Sequence, residues 1–268
     1  MGRRIGVTSL DFITGAALPV YTGGTYAVIS HKDVIDSAKE LLKNAGLTVE
    51  HELYSATRDA SVARGIYLIK ESTDSEIQMM FAWVNSYDKS KRFECSIGCH
   101  IKDTGGFWFS SNMGSWSRKH TGDAKKEAVQ AMTDQITNAG VYYNTLISHK
   151  EQMKLVILPE KLRAELLGRI YFKDRLITSE QAGIVRTALM KPGDNTLWEL
   201  VTMLAGALVK SHPKDWMSSQ VKLSKLLEKE FGIGQANQSN PAQTDLVSLI
   251  AEVSLDKMDP EEEISFEL

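Results

Sequence analysis

Cysteine is scarce in this 268-residue chain, which has only Cys95 and Cys99 and so cannot build a disulfide framework or a four-cysteine zinc site. The two lie four apart in a segment that reads as a strand, so both thiols fall on one face, and the six histidines supply no spaced partner motif. Reduced thiols, no metal and no cofactor are the expectation. No run of about 18 apolar residues occurs, so no membrane span is expected. Asp11 interrupts the mildly apolar N-terminus before it reads as a signal peptide, which makes the cytoplasm the expected location. The chain also lacks a phosphate-binding loop of the Gly-x-x-x-x-Gly-Lys-Ser/Thr type, and Gly23-Gly24 and Gly105-Gly106 are isolated pairs that read as turns. Neither Gly-x-Ser-x-Gly nor His-Glu-x-x-His is present, so ATP-driven and hydrolytic chemistry have no support and a non-enzymatic protein is expected.

What is there has the balance of a globular protein long enough to bury a sizeable core, with 43 % hydrophobic and 24 % charged residues. Residues 1–25 read as an irregular arm punctuated by Gly15, Pro19, Gly23 and Gly24. Thr25–Ser30 reads as a short strand. Ser30 then caps a helix whose apolar stripe runs through Val34, Ile35, Ala38, Leu41 and Leu42 and stops at Gly46. Three strand candidates follow, 48–57, 63–72 and 76–86, with polar turns at Arg58-Asp59 and Thr73-Asp74-Ser75. Residues 93–101 and 106–115 form a further hairpin pattern. From Asp123 the period becomes helical, broken at Gly140, and helices continue to residue 232, with Ser179 in the position of an N-cap and His212-Pro213 as a divider. The fold class is therefore α+β: an antiparallel β-meander flanked by helices, then a mostly helical C-terminal region and an acidic tail. The divisions are 1–25 (arm), 26–158 (α+β core), 159–232 (helical region) and 233–268 (linker and tail).

Residues 91–122 are loaded with aromatic and small polar side chains. Phe93, Phe107, Trp108, Phe109 and Trp116 are edged by Lys89, Lys91, Arg92, Arg118, Lys119 and His120. A β-sheet so equipped has the chemistry of a nucleic-acid stacking surface, with cations for phosphates and Trp108 and Trp116 for bases. The same period-2 aromatics equally describe the buried face of a sheet. Asp88, Cys95, His100 and His120 share this strand-rich region, but as a catalytic cluster they have less to support them than as turn and edge residues. Trp198, at helical spacing with Val201, reads as core.

The net charge of −3 conceals an asymmetry, because residues 255–268 hold six acids and one lysine and leave +2 on the remainder. A mildly basic body with an acidic tip ending in Phe266 and Leu268 resembles the organisation of single-stranded-DNA-binding proteins, whose tails compete with DNA and recruit protein partners. Solvated ends of similar composition are common too.

The stretch Asn85-Ser86-Tyr87-Asp88-Lys89-Ser90, then Ser111-Asn112, Lys119-His120-Thr121 and Leu197-Trp198-Glu199-Leu200, resembles in order a phage/plasmid-like family of unknown function encoded by prophages and conjugative plasmids. That family shows an Asn-Ser-His-Asp-Gly-Ser-like turn, a Cys-Ser-Asn-Gly-like turn, a basic residue before His-Thr and a late Leu-Trp-Asp-Leu-Tyr-Asn-like helix. This chain departs from it at Tyr87 and Lys89, has Ser110 at the cysteine position and lacks the late Tyr-Asn. The resemblance implies a mobile-element setting in a bacterial host. Separately, the order helix, β-meander, helix is similar to the core of phage single-strand annealing proteins. The expected function is ATP-independent binding and annealing of single-stranded DNA by a homo-oligomer. The alternative is a protein-binding factor that modifies a host system, docking through its acidic tail.

Overall fold

The computed structural model describes residues 8–20, 27–111, the backbone of 116–118, and 123–235. A five-residue helix, α1 (Leu10–Thr14), is capped by Ser9 and buries Ile13, so residues 10–14 are ordered helix where the sequence reads as an irregular arm. Residues 27–30 are not a strand either: the Ile29 carbonyl accepts the Asn85 side-chain amide at 2.8 Å instead of a neighbouring strand. They lead into α2 (His31–Asn44), where the Ser30 hydroxyl accepts the Asp33 N–H at 2.9 Å and relieves one of the helix's orphan donors. Gly46, at φ 73°, turns the chain out of α2 in the left-handed conformation.

The meander follows as expected, through β1 (Val49–Ala56), β2 (Val62–Ile69), β3 (Ile77–Ser86) and β4 (Phe93–Ile101), each antiparallel to the next. β5 (Gly106–Trp108) returns along the end of β4, and β6 (Trp116–Arg118) pairs with its start. β4 thus has β3 on one side and two short strands on the other, with residues 96–98 bridged by neither. There the Ile97 N–H donates to the Gln135 side-chain oxygen at 3.0 Å.

The helices are α3 (Ala124–Thr137), α4 (Ala139–Leu155), α5 (Glu160–Gly168), which widens into a π-turn at Arg169–Lys173, α6 (Ser179–Leu189), α7 (Leu197–Leu208) and α8 (Pro213–Phe231). The α3–α4 break falls at Asn138, not Gly140. The cap of α6 is Thr178, which forms a reciprocal capping box with Gln181 and leaves Ser179 as the first helical residue. The His212-Pro213 divider holds: the His212 ring accepts the Lys214 N–H at 3.2 Å and Pro213 opens α8.

Helices cover both faces of the sheet, which is why β2 is buried end to end. On the first face Tyr67, Phe81, Trp83, Phe93, Cys95, Ile97 and Cys99 join residues of α2, α3, α4 and α7 in one core. On the second, Ile66, Met80, Val84, Phe107 and Phe109 meet Trp216 and Met217 of α8. Burial of side chains such as Phe81 or Ile97 contributes about 1.5–3 kcal/mol each. β5 lies so close to α7 that a side-chain carbon at Gly106 would sit 2.7 Å from the Ala205 backbone. Lys150, with 3 % of its side chain exposed, ties α4 to the β2–β3 turn through Asp74 at 2.6 Å and Glu76 at 3.0 Å.

Candidate nucleic-acid interface

The end of the sheet where β3 turns into β4 gathers several separate segments. The β3–β4 turn is shaped by the Asp88 carboxylate accepting the Ser90 N–H at 2.9 Å, and by Ser86 Oγ donating to the Lys91 carbonyl at 2.8 Å. Lys89, with φ 62°, takes the left-handed conformation that a side chain rarely adopts. The β1–β2 turn lies alongside: the Tyr87 N–H donates to the Ser61 carbonyl at 2.6 Å, and Asp59 accepts from Thr57 and Ser61. These bonds hold the Asp59 carboxyl down at about 2. The start of α2 abuts both turns through His31, whose ring stacks on Tyr87 with centroids 3.9 Å apart. The start of α3 abuts α2 through Lys125 and Asp33, 3.0 Å apart.

Around this end stand exposed Arg58, Lys89, Arg92, Lys125 and Lys126. Arg58, Arg92 and Lys126 make no ion pair among the described residues. A groove of about 550 Å³ runs between Ala27-Val28 and the first turns of α3, and Lys125, Lys126 and Gln130 help to line it. The N-terminal ends of α2 and α3 bring partial positive charge to the same place. Acids are present as well. Asp36 pairs with Lys32, Asp33 pairs with Lys125, Asp59 and Asp88 lie in the turns, and Asp123 precedes α3 and lines the groove.

The residues expected to bind nucleic acid separate into groups. Lys89 and Arg92 stand exposed at this end. Lys91 does not: it lies 3.1 Å from Glu94, with side chains only 13 % and 15 % exposed, so a local carboxylate already balances its charge. Trp108 is a correction, being 1 % exposed in the first core, and Phe93, Phe107 and Phe109 are buried as well. These aromatics hold helices against the sheet and offer no stacking surface. The side chains of Trp116 and Arg118, together with Lys119 and His120, lie outside the described residues; the backbone of β6 sets Arg118 opposite Phe93. The acidic tail also lies outside them.

Asp88, Cys95 and His100 do not gather. Asp88 is in the exposed turn, Cys95 is buried in the first core, and His100 is at the far end of β4 beside Phe107. Burial pushes both cysteine thiols well above their usual range, so they are inert core side chains, and burial also lowers His100. Trp198, 6 % exposed, is core as expected. Among the described residues no group of three or more acids, histidines or cysteines is arranged to hold a metal, and no helix is long and apolar enough to cross a membrane.

Arg58, Lys125 and Lys126 escape notice in the sequence because Arg58 lies in the β1–β2 turn and the two lysines in α3, and only the fold gives them a common end. Arg64 escapes for the opposite reason. It lies in β2, 7 % exposed beneath α8, with its guanidinium 4.8 Å from the centre of the Trp216 ring. Set against protein-family models, curated proteins and solved structures, the chain has no match in any of the three comparisons.

Proposed function

We propose that this protein binds single-stranded DNA without ATP and promotes annealing, working as an oligomer in a phage or mobile element. The observation that carries the reading is the convergence of Arg58, Lys89, Arg92, Lys125 and Lys126 at one end of the meander, beside the starts of two helices. Cations spread over two hairpin turns and a groove suit a flexible phosphate backbone, whose binding is mainly electrostatic. Annealing breaks and forms no covalent bond, so held phosphates and accessible base edges suffice. With Trp108 in the core, base stacking falls to Trp116. The left-handed Lys89 supports the family resemblance, since the related turn carries glycine there.

The test is fluorescence anisotropy with a labelled single-stranded oligonucleotide at 50 and 200 mM salt, using the full chain and a chain lacking residues 255–268. Replacing Arg58 and Arg92 together by Ala should remove about two phosphate contacts and flatten the log-affinity against log-salt slope by roughly 1.4. No binding by either chain at low salt would sink the proposal.

A second reading, a non-enzymatic factor that docks on a host protein, draws on a different observation. Leu155, Ile157, Phe172 and Met190 are between 61 % and 83 % exposed, which is costly in water and useful at a protein interface. Failure to bind DNA would leave that reading standing.

A further inference from the structure

Between the second face of the sheet and α8 lies a group of buried polar side chains that the apolar packing does not explain. Arg64 reaches there from β2. Its Nε donates to Ser55 Oγ at 2.5 Å and its Nη2 to the Val209 carbonyl at 3.4 Å, at the C-terminal end of α7. Its Nη1 is buried with no acceptor. The Trp216 ring lies over the guanidinium, and its Nε1 is also buried without an acceptor. Gln220, one helical turn further along α8, is fully buried, and neither end of its side-chain amide has a partner.

A neutral amide or indole left unsatisfied costs about 1–3 kcal/mol. A buried cation without a counter-charge costs several kcal/mol. One partial compensation is present, because the last carbonyls of α7 carry the negative end of its dipole. It satisfies Nη2 only. Burial depresses the guanidinium to about 10, with no opposing carboxylate among the described residues. Of the four unmet atoms three are N–H donors, two of them on α8 one turn apart and the third on the guanidinium that lies against the Trp216 ring, while the fourth, Gln220 Oε1, is an acceptor. The surroundings are aliphatic and aromatic, namely Val62, Ile66, Val84, Met217 and Phe109. Such a setting favours a small, weakly hydrated anion over a phosphate or a carboxylate-bearing ligand.

We propose that Arg64 Nη1, Trp216 Nε1 and Gln220 Nε2 form an internal site for a compact monovalent anion of the halide class, which joins β2 to α8. The bound anion neutralises the buried guanidinium and supplies the missing acceptor. Because only the folded chain forms the site, stability rises with the anion's concentration.

The test uses the full-length protein, with sodium chloride exchanged for sodium gluconate at constant ionic strength so that general screening is fixed. Raising chloride from 1 to 100 mM should raise the Tm by about 5 °C. Arg64→Met, which keeps the volume and removes the charge, should abolish the response. Trp216→Phe keeps the ring over residue 64 and removes a single donor, so it decides the matter even if Arg64→Met fails to fold. It should weaken apparent chloride affinity by about tenfold. Crystals soaked in sodium bromide should show an anomalous peak beside Arg64 Nη1. A chloride response of equal size in Trp216→Phe, or crystals without that peak, would overturn the proposal and leave ordered water as the partner of these groups.

Discussion

Tyr87 holds His31 twice: its hydroxyl oxygen accepts the His31 backbone N–H at 2.7 Å, and its ring stacks on the imidazole with centroids 3.9 Å apart. His31 is in turn oriented by the Ala60 carbonyl, 2.9 Å from Nε2, and by the Asn85 amide, 2.9 Å from Nδ1. With Asn85 Nδ2 donating to Nδ1, the proton sits on Nε2 and the ring is neutral. Four buried groups from α2, β3 and both turns thereby lock the basic end of the sheet. Tyr87→Phe keeps the stack and removes the acceptor of a buried N–H, so it should cost about 1–3 kcal/mol in chemical denaturation. A smaller loss than about 0.5 kcal/mol would mean that water reaches the start of α2.

Trp108→Ala should behave as a core truncation, costing about 3–5 kcal/mol. DNA affinity per folded molecule and its salt slope should be unchanged. Affinity lost at full stability would return Trp108 to the binding surface against its 1 % exposure.

Lys89→Gly separates backbone strain from charge. The left-handed conformation at φ 62° costs a lysine about 1 kcal/mol relative to glycine. The variant should therefore melt at the same temperature as the parent or higher, while its single-strand affinity falls and its salt slope loses roughly 0.7. A lower Tm together with unchanged binding would refute both halves.

Lys150→Met tests the ion cluster. Burial on its own would raise Asp74 and Glu76, but Lys150 and the Glu76 and Ile77 backbone N–H groups at Asp74, and Lys154 with Lys150 at Glu76, outweigh it and hold both below their usual 3.8 and 4.5. A depressed carboxylate contributes stability that is present above its unfolded pKa and is lost as pH falls through its folded one. The variant should be less stable by roughly 2 kcal/mol near neutral pH. The gap in Tm between the two proteins should then close as pH falls from about 4.5 towards 2. A gap independent of pH would show that the aliphatic stem of Lys150 matters more than its charge.

Much of the fold was legible because its signals are local. The span of β4 follows from a run bounded by polar turns, and α2 follows from Ser30, the apolar stripe through Val34 and Leu42, and Gly46. α1 was not legible, since five residues are too few to display a helical period. Residues 27–30 have strand composition, yet the outcome is set by Asn85, 56 positions from Ile29, which takes the Ile29 carbonyl. The candidate site was half legible. Lys89 and Arg92 read correctly as exposed cations, whereas the alternation that flags Phe107 and Trp108 as sheet-facing is silent on whether a helix covers that face. The cover for Phe107 is Trp216, more than a hundred residues later.

The pairing of β4 gives its middle residues an unusual dependence. Because β5 and β6 take the two ends of the strand, the N–H of Ile97 is satisfied by the Gln135 side chain on α3. Its protection from solvent deuterium therefore measures whether α3 is seated, not whether strands are paired. An Ile97 amide that exchanges faster than its neighbours would register the lifting of α3, and with it movement of the groove beside Lys125 and Lys126, while the sheet itself stays intact.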